Sequence, residues 1–469
     1  MTTLVWFRED LRTHDNPALH FADQQKTGVA CVYLLDVNMW QKHHMAPIRM
    51  RFVQRGLAEL SLQLSKKNIS LHIIEINHEQ EIAEKLFQYA KSINADMLVF
   101  NNQYEVNELH RDQIVDDFFK NQFLAVKRFD DQIIFKPELL HQIKGSPFKV
   151  FTPFKKNWLK HIYQFGLDNT LPAPAKQQKM IGIHDEVSID ITCEIADEIW
   201  PAGEISAQKR LTSFIENKIS NYHEARDFPA LDGTSKLSPY LSTGMISGKQ
   251  CFHAALMFNQ GEWDSGNIGA TTWISELIWR EFYKYILICF PHISKHLPFK
   301  LDTNNIAWEH NKNYLLAWQN GMTGFPLVDA AMRQLNQTGW MHNRLRMVVS
   351  MFLSKTLFID WRLGEQYFME HLIDGDLAAN NGGWQWSAST GVDAAPYFRI
   401  FNPLRQSERF DSDGKFIRQY CPELSDLDNS LIHQPYRVKD LFTPEFDYPK
   451  PIVNHDLSKE RVIRAFKNV

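Results

Sequence analysis

The chain has 469 residues, 44% of them apolar and 23% charged, with a formal net charge of −4. That balance excludes disorder over most of the length and supplies enough apolar material for two domains with their own cores. The weak negative charge argues against a surface coated in base, but nucleic-acid binding needs only one basic face, so the charge count decides nothing about DNA.

Five cysteines (Cys31, Cys193, Cys251, Cys289 and Cys421) are scattered without a CxxC pair or a metal-ligand spacing. No metal is expected, and a reduced, cytoplasmic setting is. The aromatic share of 13%, with 13 tryptophans, fits buried clusters or a stacking platform and does not choose between them. Thr3 to Asp10 reads as a buried strand running into charge, not as a signal peptide, and no apolar run is long enough to span a membrane. A soluble, unexported chain is the expectation.

In chain order, β-rich runs at Leu4–Phe7, Val29–Leu35, Leu71–Ile76 and Met97–Phe100 alternate with helical patterns near 49–65 and 79–92. This alternation predicts a parallel, Rossmann-like α/β sheet. No GxGxxG follows the first strand, so a ligand in this part belongs at the carboxyl ends of the strands. Residues 165–205 turn irregular through Leu171-Pro172-Ala173-Pro174 and the acids Asp185, Asp190, Glu194 and Asp197. Beyond them, amphipathic stretches near 271–289, 326–337 and 342–358 predict an all-α second domain. The expected division is an α/β domain over 1–130, a connecting segment over 131–205 and a helical domain over 206–469.

Four segments carry candidate chemistry. In Thr234-Ser235-Lys236-Leu237-Ser238-Pro239, hydroxyls and a cation precede a helix start, with Ser238 placed to cap and Pro239 to occupy the first turn. Taken alone, this is as well read as a capped helix without a ligand. In the run from Trp273 to Tyr283, Glu276, Trp279, Arg280 and Tyr283 fall at helical spacings of three and four, which lets a carboxylate and a large ring share a pocket. Asn343 and Met347 lie one turn apart beside Arg344, so an amide and a thioether can face one cavity. In Asp374-Gly375-Asp376-Leu377-Ala378-Ala379-Asn380-Asn381-Gly382-Gly383-Trp384-Gln385-Trp386, acids and amides cluster around glycines that admit a ligand. Trp384 and Trp386, two apart, point to different sides of a helix.

These segments, with Trp6-Phe7-Arg8-Glu9-Asp10-Leu11-Arg12 and Asp15-Asn16 at the start and the run from Asp374 to Pro403, resemble the photolyase/cryptochrome family over nearly the whole chain. Within that family the resemblance is to bacterial enzymes that repair cyclobutane pyrimidine dimers in UV-damaged DNA. It implies an N-terminal α/β domain holding an antenna and an all-α C-terminal domain holding FAD, whose active form is reduced and anionic. By the same resemblance Tyr222, Thr234, Ser235, Lys236, Leu237, Ser238, Trp273, Arg280, Arg344, Asp374, Gly375, Asp376 and Asn380 surround the flavin, with Asn380 beside its central ring nitrogen. A neutral amide there adds no negative charge next to an anionic flavin, which favours a repair enzyme.

The resemblance further makes Trp384, Trp361 and Trp308 an electron chain from flavin to surface. It assigns the flipped dimer to Glu276, Trp279, Arg280, Asn343, Met347 and Trp386, with Arg226 and Arg344 at backbone phosphates. Gln103-Tyr104-Glu105-Val106-Asn107-Glu108 is similar to a folate-binding stretch, so His43, Asn107, Glu108 and Lys295 imply a 5,10-methenyltetrahydrofolate antenna, with a deazaflavin as the alternative. Ser294 stands where that pattern carries cysteine. A monomer is expected. The competing reading is a cryptochrome-type receptor without repair, which tends to lose the counterparts of Trp386 and Asn380. Repair of six-four photoproducts calls for a histidine pair, where this chain follows His342 with Asn343 and carries Met347 at the other position.

Overall fold

The computed structural model describes residues 2–142, 145–436 and 447–467. The chain packs as two compact units: Met1–Ser220 with Ser235–Ser294 and Asp374–Asp376, and Asn221–Thr234 with Lys295–Ile373 and Leu377–Val469.

The first unit is built on five parallel strands, β1 (Thr2–Phe7), β2 (Gly28–Leu35), β3 (Ser70–Glu75), β4 (Met97–Asn101) and β5 (Ala125–Phe129), in the order β3-β2-β1-β4-β5. Every residue of β1 is buried, which explains its unbroken apolar run: a central parallel strand is covered on both faces. The core between strands and helices includes Leu4, Trp6, Val32, Leu86, Phe100 and Phe119. β5 was not among the expected strands. It is the edge strand, its side chains alternate between exposed and half-buried, and Lys127 and Arg128 hide its apolar pattern. The strand order reverses at β1, so the crevice at the carboxyl ends of β1 and β4 is the favoured ligand position of such a sheet.

After the helix Phe151–Phe165 the chain has no regular element until residue 197. It is nevertheless tied to the sheet, because the Gln177 amide donates to the Val29 carbonyl (2.8 Å) and accepts from the Val29 N–H (2.7 Å), while Asp185 accepts from Ile73 N–H at 2.7 Å. The unit continues in helices, of which Ile268–Cys289 is begun by an Asn267 cap on Ala270 N–H.

The described part of the second unit is helical apart from an isolated bridge between Glu309 and Ile359. Its core gathers Trp318, Leu345, Phe352, Trp361, Phe368 and Trp384 from the helices Lys312–Gln319, Asn343–Met351, Trp361–His371 and Leu377–Ala388 and a short π-helix at Phe352–Thr356. Helices Trp361–His371 and Leu377–Ala388 approach so closely that a Cβ at Gly364 would lie 2.1 Å from the Trp384 ring. Among the described residues, no helix is long and apolar enough to cross a membrane.

Candidate functional site

In the first unit the helix Ile268–Cys289 presents the expected side chains in register. Trp273 is buried against Phe214, with ring centroids 4.8 Å apart, while Glu276, Trp279 and Arg280 are half-buried. Trp279 lies flat on Phe151 at 3.6 Å, so one face of this indole is covered, and the Phe282 and Tyr283 rings lie 5.7 Å from it. Arg280 donates to the Gln132 carbonyl at 2.9 Å. Its neighbour Glu281 is buried, accepts the Ile134 N–H at 2.8 Å and has its carboxyl pushed up to about 7 by burial. Lys284, one turn beyond Arg280, is 1% exposed and pairs with Asp376 at 2.8 Å and Glu105 at 3.3 Å.

The hydroxyl-rich loop departs from expectation. The helix there spans only Ser238–Ser242; its cap position falls on Leu237, which supplies no side-chain bond, and Pro239 is second in the helix. Ser238 is therefore not the cap. Ser235 Oγ instead accepts from the Leu237 N–H at 3.4 Å, ahead of the helix, and Lys236 adopts a left-handed φ of 50°. Ser235, Lys236 and Ser238 are half-buried, and Leu237 between them is buried.

Near the carboxyl ends of the strands, His43 meets both Asn107, whose amide donates to Nε2 at 3.2 Å, and Glu108, 3.6 Å from Nδ1. Burial lowers the His43 pKa, while burial and the nearby Glu105 push the Glu108 carboxyl up to about 7. Both shifts oppose the charged forms, so the contact is weaker than its ion-pair spacing suggests. Three of the four antenna candidates are thus together; Lys295 lies exposed in the second unit.

In the second unit Asp227 gathers two arginines: Arg344 Nη2 at 2.7 Å and Arg226 Nε at 3.9 Å. The Arg344 guanidinium also lies 4.5 Å from the Phe410 ring centroid and 4.0 Å from Met347 Sδ, while Arg226 is 5.7 Å from the Tyr222 ring. His342 starts the helix Asn343–Met351 by accepting the Arg344 N–H, which leaves Asn343 exposed at its first position and Met347 half-buried one turn later. Thr234 is half-buried. On Leu377–Ala388, Trp384 is buried and Trp386 half-buried, as their spacing requires. Asn380 donates Nδ2 to the Glu365 carbonyl at 2.9 Å. Trp384, Trp361 and Trp308 belong to one core, at 2%, 1% and 8% exposure. Trp308, expected at the surface, is instead covered by Phe358 and Phe466, whose ring centroids lie 5.0 and 6.4 Å away.

Residues 3–176 match the family model for DNA photolyase, and residues 273–468 match that for the FAD binding domain of DNA photolyase. Among curated proteins, deoxyribodipyrimidine photo-lyases of Escherichia coli and Vibrio cholerae are 43% and 42% identical; the alignments cover 100% and 99% of this chain and 99% of each relative. The crystal structure of the Synechocystis cryptochrome superposes with a TM-score of 0.89 at 30% identity, covering 99% of both chains. The chain belongs to the photolyase/cryptochrome family.

A member of this family with an FAD-binding domain must have room and partners for the flavin, and the residues present fit. Asn380 has its Nδ2 committed to Glu365, which leaves Oδ1 as an acceptor suited to a ligand N–H, and a Cβ built at Gly383 on the same helix meets nothing within 4 Å. Sequence reasoning missed Asp227, which pairs with both phosphate-binding candidates, and the buried groups Glu281 and Lys284. The i, i+4 spacing of Arg280 and Lys284 was the one local signal for the latter.

Proposed function

We propose that this chain splits cyclobutane pyrimidine dimers in UV-damaged DNA under blue light, the reaction of a deoxyribodipyrimidine photo-lyase. The observation that carries this reading is identity above 40% along the whole chain to proteins of that name, joined to the presence of Asn380 and Trp386. Bound in its reduced, anionic form, FAD would supply the light-driven, reversible electron transfer by which the cyclobutane ring is opened with no net redox change.

The chain's own residues bind, orient and exclude water. Tyr222, Thr234, Ser235, Lys236, Leu237, Ser238, Trp273, Arg280, Arg344, Asp374, Gly375, Asp376 and Asn380 would hold the cofactor in this proposal, with the Asn380 Oδ1 left as the acceptor on its side. A dimer must leave the duplex to react, at a cost of a few kcal/mol that is least for damaged bases, as in photolyases generally. Trp386 and Trp279 repay that cost by apolar contact and stacking, worth roughly 1–3 kcal/mol per base. Glu276 and Asn343 hydrogen-bond the flipped bases beside Met347, and Arg226 and Arg344 hold phosphates. Glu276 steadies the negative charge on the opening dimer by donating a hydrogen bond from its carboxyl. Trp384, Trp361 and Trp308 return electrons to an oxidised cofactor. A methenyltetrahydrofolate antenna at His43, Asn107, Glu108 and Lys295, and action as a cytoplasmic monomer, complete the proposal.

The test compares oligonucleotides carrying a cyclobutane dimer with ones carrying a six-four photoproduct, illuminated with the reduced protein. Restoration of the first alone is expected. Restoration of the six-four product would overturn the substrate assignment, and restoration of neither would favour a cryptochrome-type receptor.

A further inference from the structure

Lys284 has no part in the proposed repair reaction, yet it joins two of the proposed sites. Its ammonium touches Asp376 Oδ2 at 2.8 Å and Glu105 Oε1 at 3.3 Å, and all three residues lie in the first unit. Asp376 ends the acidic stretch assigned to the flavin. Glu105 is the residue at which the helix Val106–Asn121 begins, and the first turn of that helix carries Asn107 and Glu108 against His43. The second oxygen of Glu105 accepts the Tyr104 N–H at 3.1 Å, so the carboxylate is held on both sides. One lysine therefore anchors the start of the antenna helix and the end of the flavin stretch.

The surroundings are rich in acid. Burial pushes the Glu9 carboxyl up against the pull of Arg49, with Glu105 adding to the push ahead of the opposing Lys284 and the like charge of Asp376. Burial works against the charge of Lys284 as well, but Asp376, Glu105 and Glu9 outweigh it and hold the ammonium above its ordinary range. A buried cation shared by two carboxylates cannot follow a change of charge at one without relaxing its hold on the other.

We propose that Lys284 is a positioning residue that couples antenna binding to the charge state of the flavin: negative charge gained at the flavin draws the ammonium toward Asp376, loosens Glu105 and weakens the grip of Asn107 and Glu108 on the antenna. This rests on the assignment of the two stretches above. Coupling of this kind is reciprocal, so an antenna bound at His43 shifts the flavin toward its oxidised form by the same factor.

The experiment titrates 5,10-methenyltetrahydrofolate into the FAD-loaded protein under anaerobic conditions, with the flavin oxidised and then fully reduced. Binding about fivefold weaker in the reduced protein is expected, at the low end of ordinary couplings. Lys284→Arg keeps most of that ratio, whereas Glu105→Gln and Lys284→Met bring it to one. Glu105→Gln, which removes a charge but little volume, serves where Lys284→Met fails to fold. Equal or tighter binding in the reduced wild type, or an unchanged ratio in Glu105→Gln, overturns the coupling and leaves the repair reading standing. A wild type that holds FAD and binds no folate overturns the antenna assignment and the coupling with it.

Discussion

Asn380 gives its amide Nδ2 to the Glu365 carbonyl at 2.9 Å, and that bond decides which end of the amide a ligand meets. An Asn380→Asp variant loses the donor and places a carboxylate beside a flavin proposed to work as an anion. The expected result is a flavin midpoint potential lowered by about 60 mV or more, a tenfold change in a one-electron equilibrium. Potentiometric titration of the two proteins reads it directly, and an unchanged potential would remove Asn380 from the flavin's side.

Glu281 supplies a pH dependence with a definite sign. Its carboxyl is pushed up to about 7 by burial, whereas in the unfolded chain it titrates near the ordinary glutamate value of about 4.3. The folded state therefore holds the proton over the interval between, and stability from this group falls as pH rises from about 4.5 through 7, by up to a few kcal/mol. Glu281→Gln keeps an acceptor for Ile134 N–H and cannot ionise. It should come close to the wild type in thermal stability at pH 4 and exceed it increasingly up to pH 8; parallel curves across that range would show that Glu281 does not titrate in the window.

Much of the first unit was legible because parallel strands buried on both faces leave unbroken apolar runs, as in β1 and β2. The edge strand β5 escaped because two of its five residues are cations, the composition by which edges avoid pairing. Ser238 was misread as a cap because a hydroxyl before proline has the right composition whether it stands at the cap or one position inside, and only the backbone shows that Leu237 takes the cap. Lys284 could be placed on the helix face of Arg280 by its i, i+4 spacing, but its pairing could not be read: its partner Glu105 is 179 positions away, and a pair formed across the fold leaves no local pattern.

Gly364 allows two helices to meet over Trp384. Gly364→Ala would set a methyl 2.1 Å from the indole, and overpacking of this sort costs roughly 1–3 kcal/mol. A lower melting temperature is expected together with slower light-driven reduction of oxidised flavin, since the first tryptophan of the proposed chain must shift. Destabilisation without any change in photoreduction would separate Trp384 from electron transfer.

Arg226 stands beside Asp227 and the Tyr222 ring in the second unit. If it holds a phosphate, Arg226→Ala weakens binding of UV-damaged DNA of any sequence and flattens the dependence of log K on log salt by about one. Fluorescence anisotropy at several salt concentrations measures both. An unaltered salt slope would place the arginine off the DNA path.

The central claim is tested most directly by repair itself. The reduced, FAD-loaded protein is mixed with UV-damaged oligo-thymidine and illuminated with blue light, beside a dark control, while absorbance from restored thymine is followed. Light-dependent recovery, absent in the dark and reduced in Glu276→Gln that still binds the damaged strand, is the predicted result. A flavin-loaded protein that absorbs the light and restores no thymine would contradict it.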